Sequence, residues 1–407
     1  MHTGDFPPPA AVPIEPVRIS ACTACSAVGR GLAATAAALR ERRSGLAPND
    51  FGSAPVPTWI GRVRGLESAA LPVHLAQWES RNNRLAWMGL HQDHFRDAVA
   101  AARRRLGPAR IAVVLGTSTA SIGATEEAYR TLGADGSFPP HLNHPALHTP
   151  HSTGAFVQRA LELTGPCATV ATACSSSAKA FAQAERLLRL DLADAAVVGG
   201  VDSLCDSVLR GFNALELLSP ERCRPFDRAR RGINLGEAAG FALLERGSGP
   251  GPKLLGWGES SDAHHMSSPH PEGMGARLAL RDALARAGTS PDAVDYINLH
   301  GTASQKNDDV EARLVAQWFP AGTLASSTKG WTGHTLGAAG ALEAVITLLA
   351  LEQGHVPGTL NADALDPACG PQIRLDNRDA AVRVALSFSF GFGGSNCALV
   401  FGREDAR

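Results

Sequence analysis

A buried strand that leads through one cysteine into a small-residue helix is the feature that most constrains this chain. Residues 167–173 are apolar and β-branched, which predicts a strand, and Cys174 follows at its end. The next stretch places Ala178 and Phe181 on one face of a predicted helix, and residues 194–203 predict a second buried strand. This order of strand, sharp turn, helix and strand indicates a crossover unit with parallel strands, and therefore an α/β fold.

The second half of the chain repeats this layout without a clear sequence repeat. Residues 293–300 predict a strand that ends at His300, and a helix is expected to begin near Asp308, with Asp308 and Glu311 as an N-cap pair. The chain is therefore predicted to contain two similar α/β halves, each with a reactive residue at the end of a central strand. The predicted ranges are an irregular arm over 1–16, an N-terminal half over 17–256 and a C-terminal half over 257–407.

Composition excludes several classes of protein. The 407 residues carry 38 basic and 39 acidic side chains, which argues against a nucleic-acid binder held by global charge. No run of about 18 uncharged apolar residues occurs, and the first residues lack a basic and apolar signal pattern, so neither a membrane span nor export is expected. We therefore expect a cytoplasmic protein whose eight cysteines are reduced.

Two groups of metal-ligand residue types favour structural roles. Cys22 and Cys25 form a C-x-x-C, but no second Cys or His pair follows at zinc spacing. Small packing residues in a strand and turn are therefore favoured over a metal or redox site. Four histidines lie at irregular spacing within residues 141–151, with prolines between them, which favours an ordered connecting loop over a metal site.

Cys174 is the first candidate for chemistry. A free thiol is largely protonated at neutral pH, and the positive end of a helix beside the sulfur lowers the pKa of the thiol. The predicted strand–helix junction places Cys174 at such a position, which favours a nucleophile. Small buried cysteines are also common in cores, so this segment by itself leaves a packing role open.

Three further segments carry candidate residues. His300 precedes Gly-Thr at the end of its strand, so it is expected to face the cleft where ligands bind, although a lone histidine is more often a core residue. Lys329 and His334 lie in a Gly/Thr-rich loop before a Gly/Ala-rich helix, and in isolation such residues are usually exposed. Phe392 lies among glycines within residues 391–394, which indicates a loop that approaches a ligand and a ring that can swing.

Five motifs in order give the chain a resemblance to a known family. They are ATACSSSA around Cys174, RPFDRARRGINLGEAAG (224–240), LHGTASQKNDDVEA (299–312), STKGWTGHTLGAAGALEA (327–344) and SFGFGGSN (389–396). With these motifs the sequence resembles the β-ketoacyl-acyl-carrier-protein synthases, the elongating condensing enzymes of type II fatty-acid and polyketide pathways. The resemblance covers nearly the whole chain, residues 17–403.

The resemblance implies a thiolase-like fold, in which two duplicated α/β halves form a five-layer αβαβα arrangement, usually in a homodimer. It implies that Cys174 is the acyl-accepting nucleophile, and that His300 and His334 promote decarboxylation of the malonyl extender and stabilise the enolate. Lys329 is implied to be a supporting cation. The backbone N–H groups of Cys174 and Phe392 are implied to form the oxyanion hole, with the Phe392 ring as a gate.

The same resemblance implies contacts with substrate and partner. Thr302, Ser304, Thr119 and Phe212 are expected to contact the pantetheine arm or the acyl chain. No metal or redox cofactor is expected, because the phosphopantetheine belongs to the partner, an acyl carrier protein. Carrier proteins are acidic, so a basic patch is expected near the pocket mouth, with Glu216 as an unfavourable neighbour. The candidate residues for this patch are Arg81, Arg84, Arg222 and Arg228.

Departures from the usual motifs bear on the subtype. The C-x-x-C, Asn234, Thr119 and residues 79–87 look similar to synthases of aryl polyene clusters, with housekeeping fatty-acid elongation as the main alternative. A non-catalytic chain-length-factor-type partner would lack Cys174, although a heterodimer with such a subunit stays open beside a homodimer. A coenzyme A thiolase would use a second cysteine, and the cysteine nearest the C-terminal glycines lies within a predicted strand.

Overall fold

A computed structural model describes residues 11–247 and 249–403. Most of the arm predicted over 1–16 lies outside these residues, and residues 11–16 contain no helix or strand. The strands are β1 Val17–Ser26, β2 Gly29–Arg30, β3 Leu46–Pro48, β4 Trp59–Gly61, β5 Ile111–Gly116, β6 Cys167–Val170, β7 Ala195–Asp202, β8 Leu235–Gly236, β9 Ala238–Glu245, β10 Lys253–Ser261, β11 Tyr296–Asn298, β12 Leu324–Ser326, β13 His355–Val356, β14 Arg378–Asp379, β15 Val384–Gly391 and β16 Ser395–Gly402. The α-helices are α1 Leu32–Arg40, α2 Arg81–Leu90, α3 Phe95–Leu106, α4 Ile122–Arg130, α5 Ser152–Ala160, α6 Ser176–Arg189, α7 Asp206–Ala214, α8 Met274–Ala287, α9 Gln305–Trp318, α10 Lys329–Thr332 and α11 Ala339–Gln353.

The main sheet has eleven strands, which form two five-stranded halves with the same strand order and the short β2, which pairs with β1. The N-terminal half runs β6-β5-β7-β9-β1, and the C-terminal half runs β12-β11-β15-β16-β10. In each half the first three strands are parallel and the remaining neighbours are antiparallel. β1 and β10 join the halves through the pairs Val17–Leu254 and Arg18–Lys253. The repeated order confirms the predicted duplicated α/β fold, whereas the boundary at 256/257 falls inside β10 and stays a prediction.

Five layers follow from the way the helices cover the two halves. Helices α2, α3 and α5 pack on the outer face of the N-terminal half, and α8 and α9 cover the outer face of the C-terminal half. Helices α6 and α11 lie between the halves and contact strands of both. A Cβ at Gly340 would lie 2.6 Å from the backbone nitrogen of Ala178, so glycine is what lets these two helices approach. This close approach explains the Gly/Ala-rich start of α11.

The residues Leu336–Gln353 are long and apolar enough to cross a membrane, but 89% of this 18-residue window is buried inside the protein. Its side chains pack in the middle layer and against β9 and β15. Burial on all sides accounts for a helix that is apolar all round without lipid contact.

The strand order shows which loops of the two halves occupy equivalent places in the sheet. Cys174 follows β6, which lies at the end of the strand order and not at the centre, and the equivalent strand is β12, which precedes Lys329 and His334. His300 follows β11, whose equivalent is β5, and β5 precedes Thr117. The expectation that each reactive residue follows a central strand is therefore wrong for Cys174, because a local sequence pattern does not show which place a strand takes in the sheet.

Two local expectations need correction. Helix α9 begins at Gln305 rather than near Asp308, because the two carboxylates taken as its cap bind the preceding loop instead. Strand β1 continues through Ser26, so Cys22 and Cys25 lie within a strand. Their side chains join different core clusters, on opposite faces of the strand, which separates the two sulfurs.

The histidine-rich residues 141–151 form an ordered connection. Three of the histidine rings each contact different residues. His148 bonds Thr125 Oγ1 at 2.8 Å and Leu142 O at 2.6 Å, and His151 bonds Thr169 Oγ1 at 2.9 Å. His144 packs edge-on against Trp78 with 5.0 Å between ring centroids. These contacts account for the histidines as packing and loop-fixing residues.

Candidate active site

Cys174 lies in a strained turn between β6 and α6. Ala173 has a φ of 51°, which an L-residue adopts only when its surroundings hold it there. Ser176 supplies this support, since its hydroxyl donates to Ala173 O and accepts the Thr172 N–H at 2.9 Å. The turn leaves Cys174 only 5% exposed, at the end of the strand and one residue after the strained position.

His334 reaches Cys174 from the C-terminal half. Its Nε2 lies 3.0 Å from Cys174 Sγ. The backbone of His334 is held by Asn234 O, which accepts its N–H at 2.7 Å, and by the Gly236 N–H, which donates to His334 O at 3.0 Å. The buried Asn234 side chain donates to Ser219 O at 3.1 Å and accepts the Cys223 N–H. Asn234, seen in the sequence only as an unusual residue, therefore ties the segment that positions His334.

His300 lies beside His334 and completes the group. The ring centroids of the two histidines are 5.3 Å apart and the rings are nearly perpendicular. Lys329 Nζ lies 3.4 Å from His300 Nδ1, donates to His300 O, and forms a buried ion pair with Glu343. An ammonium can only donate, so this contact makes Nδ1 the acceptor and leaves Nε2–H of His300 free to donate into the cavity.

Two buried carboxylates hold the loop that carries His300. Glu311 accepts the N–H groups of His300 and Gly301, each at 2.7 Å. Asp308 accepts the N–H of Thr302 at 3.0 Å. Burial raises the pKa of Glu311 to about 8 and that of Asp308 to about 6, while these N–H donors act in the opposite direction. Burial likewise raises the pKa of Glu343 to about 7, opposed by Lys329.

Burial has the largest effect on the pKa values of Cys174, His300 and His334. It raises the pKa of the Cys174 thiol to about 11, although Lys329 and the N–H groups of Phe392 and Cys174 lower it. The expected net lowering of the thiol pKa by the helix is therefore wrong, because desolvation of the thiolate outweighs the nearby positive groups. Burial, followed by the Lys329 charge, holds the pKa values of His300 and His334 well below their usual range, so both are neutral at pH 7.

The loop over residues 391–394 lies beside the sulfur. The backbone N–H groups of Phe392 and Cys174 are close enough to the thiol to lower its pKa, so two potential donors lie near the reacting atom. A Cβ at Gly391 would lie 3.0 Å from Thr172 O, so glycine permits this approach to the nucleophile turn. The half-buried ring of Phe392 stacks on Phe212 with centroids 5.6 Å apart, which puts both rings at the predicted gate.

A cavity of about 600 Å³ leads from the surface to these groups. Cys174, His300, His334 and Phe392 line it, together with the predicted substrate residues Phe212, Thr302 and Ser304. The hydroxyls of Thr302 and Ser304 are 2.9 Å apart. The cavity thus unites residues from both halves of the chain.

Thr119 does not line this cavity, and its expected place beside the acyl chain stays a prediction. Its hydroxyl donates to the buried carboxylate of Asp202 at 2.7 Å, and its N–H donates to the same carboxylate at 2.9 Å. The Thr117 hydroxyl donates to Asp202 as well, at 2.6 Å. Thr119 therefore holds a backbone turn, a role that could be seen only once Asp202 was brought across from β7.

The four arginines predicted for a basic patch do not line the cavity. Arg81 is bound by the fully buried Glu237, which makes it a structural ion pair. Arg84 pairs with Glu79, and Arg222 lies over the Trp59 ring at 4.6 Å. Arg228 is exposed. The basic residues that do line the cavity are Arg230, Arg231 and Lys306, and the acidic Glu216 lies there too, as expected.

The sulfur and the two imidazoles also form a set of metal-ligand types. One donor atom from each of Cys174, His300 and His334 lies within 4.8 Å of the others. The Lys329 ammonium beside His300 opposes a second cation at this place. The expectation of a metal-free site stays a prediction.

Comparisons with known proteins agree with this geometry. The N-terminal domain model of β-ketoacyl synthases matches residues 85–249, and the C-terminal domain model matches residues 253–363. Nodulation protein E of Rhizobium meliloti (strain 1021) is 36% identical over 304 residues, which cover 72% of this chain and 75% of that protein. The mitochondrial 3-oxoacyl-[acyl-carrier-protein] synthase of Arabidopsis thaliana is 40% identical over 259 residues, covering 58% of this chain and 56% of that protein.

A solved structure extends the likeness to nearly the whole chain. The ketosynthase ApeO of Xenorhabdus doucetiae, in complex with its chain length factor ApeC, is 37% identical with a TM-score of 0.88. The match covers 96% of this chain and 98% of that one. The chain therefore belongs to the β-ketoacyl synthase family. It has the ketosynthase fold and is a condensing enzyme of the acyltransferase type.

Proposed function

We propose that this ketosynthase condenses an acyl group held on Cys174 with malonyl-carrier protein, and that His300, His334 and Lys329 support the chemistry. The observation that carries the proposal is the meeting of Cys174 Sγ and His334 Nε2 at 3.0 Å, beside a second neutral imidazole. A nucleophile and two hydrogen-bonding imidazoles in one cavity suit acyl transfer followed by decarboxylation.

In the first step, Cys174 Sγ attacks the carbonyl carbon of an acyl-carrier thioester. His334 Nε2 takes the thiol proton as the C–S bond forms, which overcomes the raised pKa of the buried thiol. The carbonyl oxygen gains negative charge between the N–H groups of Cys174 and Phe392. The bond to the pantetheine sulfur then breaks, and that sulfur leaves with the proton from His334.

In the second step, malonyl-carrier protein occupies the same cavity. Its C–CO₂ bond breaks, CO₂ leaves, and the electron pair forms an enolate whose oxygen accepts hydrogen bonds from Nε2–H of His300 and Nε2–H of His334, after the neutral ring of His334 has exchanged its proton from Nδ1 to Nε2 with solvent between the two steps. The enolate carbon attacks the acyl carbon on Cys174, the C–S bond breaks, the Cys174 thiolate takes a proton from solvent, and a 3-oxoacyl thioester two carbons longer leaves on the carrier. Lys329 keeps His300 in the tautomer that donates from Nε2.

The reaction as proposed needs no cofactor bound by this chain, because the pantetheine arm enters with the carrier protein. Every step above uses thiol, imidazole and backbone groups of the described cavity. We propose that the protein works in the cytoplasm, because its proposed substrates are thioesters carried by a soluble carrier protein.

For partners, we propose an acyl carrier protein and a second ketosynthase-like subunit of the chain-length-factor type. The likeness to ApeO, which is solved in complex with its chain length factor, supports a heterodimer over a homodimer. For the pathway, the unusual residues 79–87 support aryl polyene synthesis over housekeeping elongation.

The thiolase alternative finds no support around the second cysteine. Cys397 is fully buried in β16, where burial raises the pKa of its thiol far above the usual range. A base that must exchange protons with substrate cannot work from that position.

Mass spectrometry of the intact protein tests the proposal. Incubation with acyl-carrier protein is expected to add one acyl group to Cys174, and malonyl-carrier protein is then expected to release a product two carbons longer. The adduct is absent in Cys174→Ala and retained in Cys205→Ala, a buried cysteine outside the cavity. Failure of the wild type to form an adduct with a range of primers would contradict the proposed function.

A further inference from the structure

A groove on the outer face of the C-terminal half lies apart from the active-site cavity. This α8–α9 groove runs between the start of α8 and the outer side of α9, and its volume is about 460 Å³. It shares no lining residue with the active-site cavity. Nothing in the chemistry proposed above uses this groove.

The floor of the groove is apolar and comes from one side of α9. Val310 and Leu314 line the groove and are buried, and a spacing of four residues places them on the same side of the helix. Met274, at the start of α8, lines the opposite wall and is 50% exposed. The three side chains offer an apolar ligand a surface that is partly shielded from water.

Two arginines span the groove from opposite walls. Arg277 of α8 donates to Gln317 Oε1 of α9 at 2.6 Å, and Arg313 of α9 donates to Pro271 O, just before α8, at 3.3 Å. Gln317 lies one helical turn beyond Arg313, so the two contacts are attached to α9 about 6 Å apart along its axis. A small anionic group between them is within reach of both guanidinium groups.

Neither guanidinium has an anionic partner within the described part of the chain. The partners of Arg277 and Arg313 are a side-chain amide and a backbone carbonyl, which order the arginines without cancelling their charge. Glu272 also lines the groove, but it is exposed and forms no ion pair with either arginine among the described residues. Two cations and one carboxylate leave the groove net positive.

Arg277 also has an unsatisfied hydrogen-bond donor. Its Nε atom is buried and has no hydrogen-bond partner among the described residues. A buried N–H without a partner is unfavourable, and a charged acceptor satisfies a guanidinium better than the neutral Gln317 amide does. A carboxylate that displaced Gln317 would therefore gain both the charge of Arg277 and its free N–H.

These features select the chemistry of the ligand. Guanidinium groups bind carboxylates through two parallel N–H···O bonds, and the apolar floor favours a hydrocarbon chain attached to such a head group. The volume of the groove falls within the range of about 300–1,000 Å³ that is usual for small-molecule sites.

We propose that the α8–α9 groove binds an amphipathic carboxylate, with its head group between Arg277 and Arg313 and its apolar chain along Val310 and Leu314. This site is independent of the condensation chemistry and of the carrier protein. The ligand joins α8 to α9, whose other side holds the His300 loop through Asp308 and Glu311. Binding therefore stabilises the folded protein.

Calorimetric titration of the wild-type protein with octanoate tests the groove. Octanoate is expected to bind and to raise the melting temperature, whereas octanol and octylamine, which lack the carboxylate, bind about tenfold more weakly or less. Arg277→Gln and Arg313→Gln are each expected to weaken octanoate binding about tenfold. Arg281→Gln is the matched control on α8, because Arg281 pairs with Asp282 and does not line the groove.

Photo-crosslinking shows where the carboxylate binds. An octanoate that carries a diazirine is expected to label peptides that contain residues 271–277 or 310–317, and excess octanoate is expected to prevent the labelling. Peptide mapping separates this site from the active-site cavity, where labelling falls near Cys174 and Phe392 instead.

Four results would overturn the proposal. The first is the absence of octanoate binding at millimolar concentrations, and the second is equal affinity for octanoate and octanol, which would mean that the arginines recognise nothing. The third is labelling confined to the active-site cavity. The fourth is a loss of affinity in Arg281→Gln as large as in Arg277→Gln, which would assign the binding to overall charge. Failure of Cys174 to form an acyl adduct concerns the proposed function alone and does not bear on this site.

Discussion

The N-terminal and C-terminal halves share one strand order, yet they prepare their reactive residues by different means. After β6, hydroxyl groups pin a strained turn and leave the Cys174 thiol free of any carboxylate contact. At the equivalent place after β12, Lys329 is tied to the buried Glu343 and His334 is held by its backbone. The two loops face each other, and Sγ and Nε2 meet at 3.0 Å.

The loops after β5 and β11 are held in the same way in the two halves. In each loop backbone N–H groups donate to a buried carboxylate, that of Asp202 in the N-terminal half and that of Glu311 in the C-terminal half. Only the second loop carries a reactive side chain, His300. The duplicated scaffold thus brings residues that follow three of these four strands to one cavity, and the side chains there decide which of them does chemistry.

Removal of the nucleophile should show most clearly that the two halves contribute to different chemical steps. Cys174→Ala is expected to lower condensation by about 10⁴-fold or more, because no covalent acyl intermediate can form. Decarboxylation of malonyl-carrier protein should continue, since the imidazoles of the C-terminal half remain. Product assays and CO₂ release measure the two activities, with Cys223→Ala as a control. Parallel loss of both would show that the two halves do not act separately.

The two histidines should differ in the acylation step. Removing a hydrogen-bond donor to a developing oxyanion costs about 10²–10³-fold, so His300→Ala and His334→Ala should each slow decarboxylation by that amount. Only His334 contacts Sγ, so only His334→Ala should also slow acylation of Cys174. Single-turnover acylation followed by mass spectrometry checks this. Equal acylation rates in the two variants would contradict the assigned proton transfer.

The carboxylates of the C-terminal half should make stability depend on pH. The raised pKa of Glu311, about 8, means that the folded protein binds more protons than the unfolded chain between about pH 4.5 and 8. Stability therefore falls as pH rises through this window, by on the order of 3–5 kcal/mol from this carboxyl. Glu311→Gln should flatten the pH profile of the unfolding free energy. The exposed Glu272→Gln should leave the profile unchanged, and an identical profile in Glu311→Gln would refute the interpretation.

The smallest effect is expected on the surface of the N-terminal half. Arg84→Glu should weaken turnover of acyl-carrier protein by about twofold to threefold without a change in melting temperature, because Arg84 is 31% exposed and already paired with Glu79. Steady-state kinetics at low salt, beside the exposed reversal Arg104→Glu on α3 of the same half, would measure the contribution of Arg84 to carrier binding. Kinetics of Arg84→Glu equal to wild type would remove this residue from the interface.

Much of the fold and of the central site could be predicted from sequence. The strands Cys167–Val170 and Ala195–Asp202 and the helix after Cys174 lie where they were predicted, although the first strand ends before residue 173, because their apolar periodicity is local. The predicted residues Cys174, His300 and His334 line one cavity. The hydrogen-bond partners of Thr119 and Arg81 could not be predicted, because Asp202 and Glu237 are 83 and 156 residues away along the chain.

The amino-acid sequence by itself determined the α/β class, the duplication and the motif residues. Strand and helix periodicity and glycine-rich turns depend only on residues that are close together along the chain. Only the tertiary structure decided which strand ends are equivalent, that burial raises the pKa of the Cys174 thiol, and which cations face the mouth. Burial and ion pairing depend on groups brought together from distant parts of the chain. Such properties follow from the packing of the two halves and from no single segment.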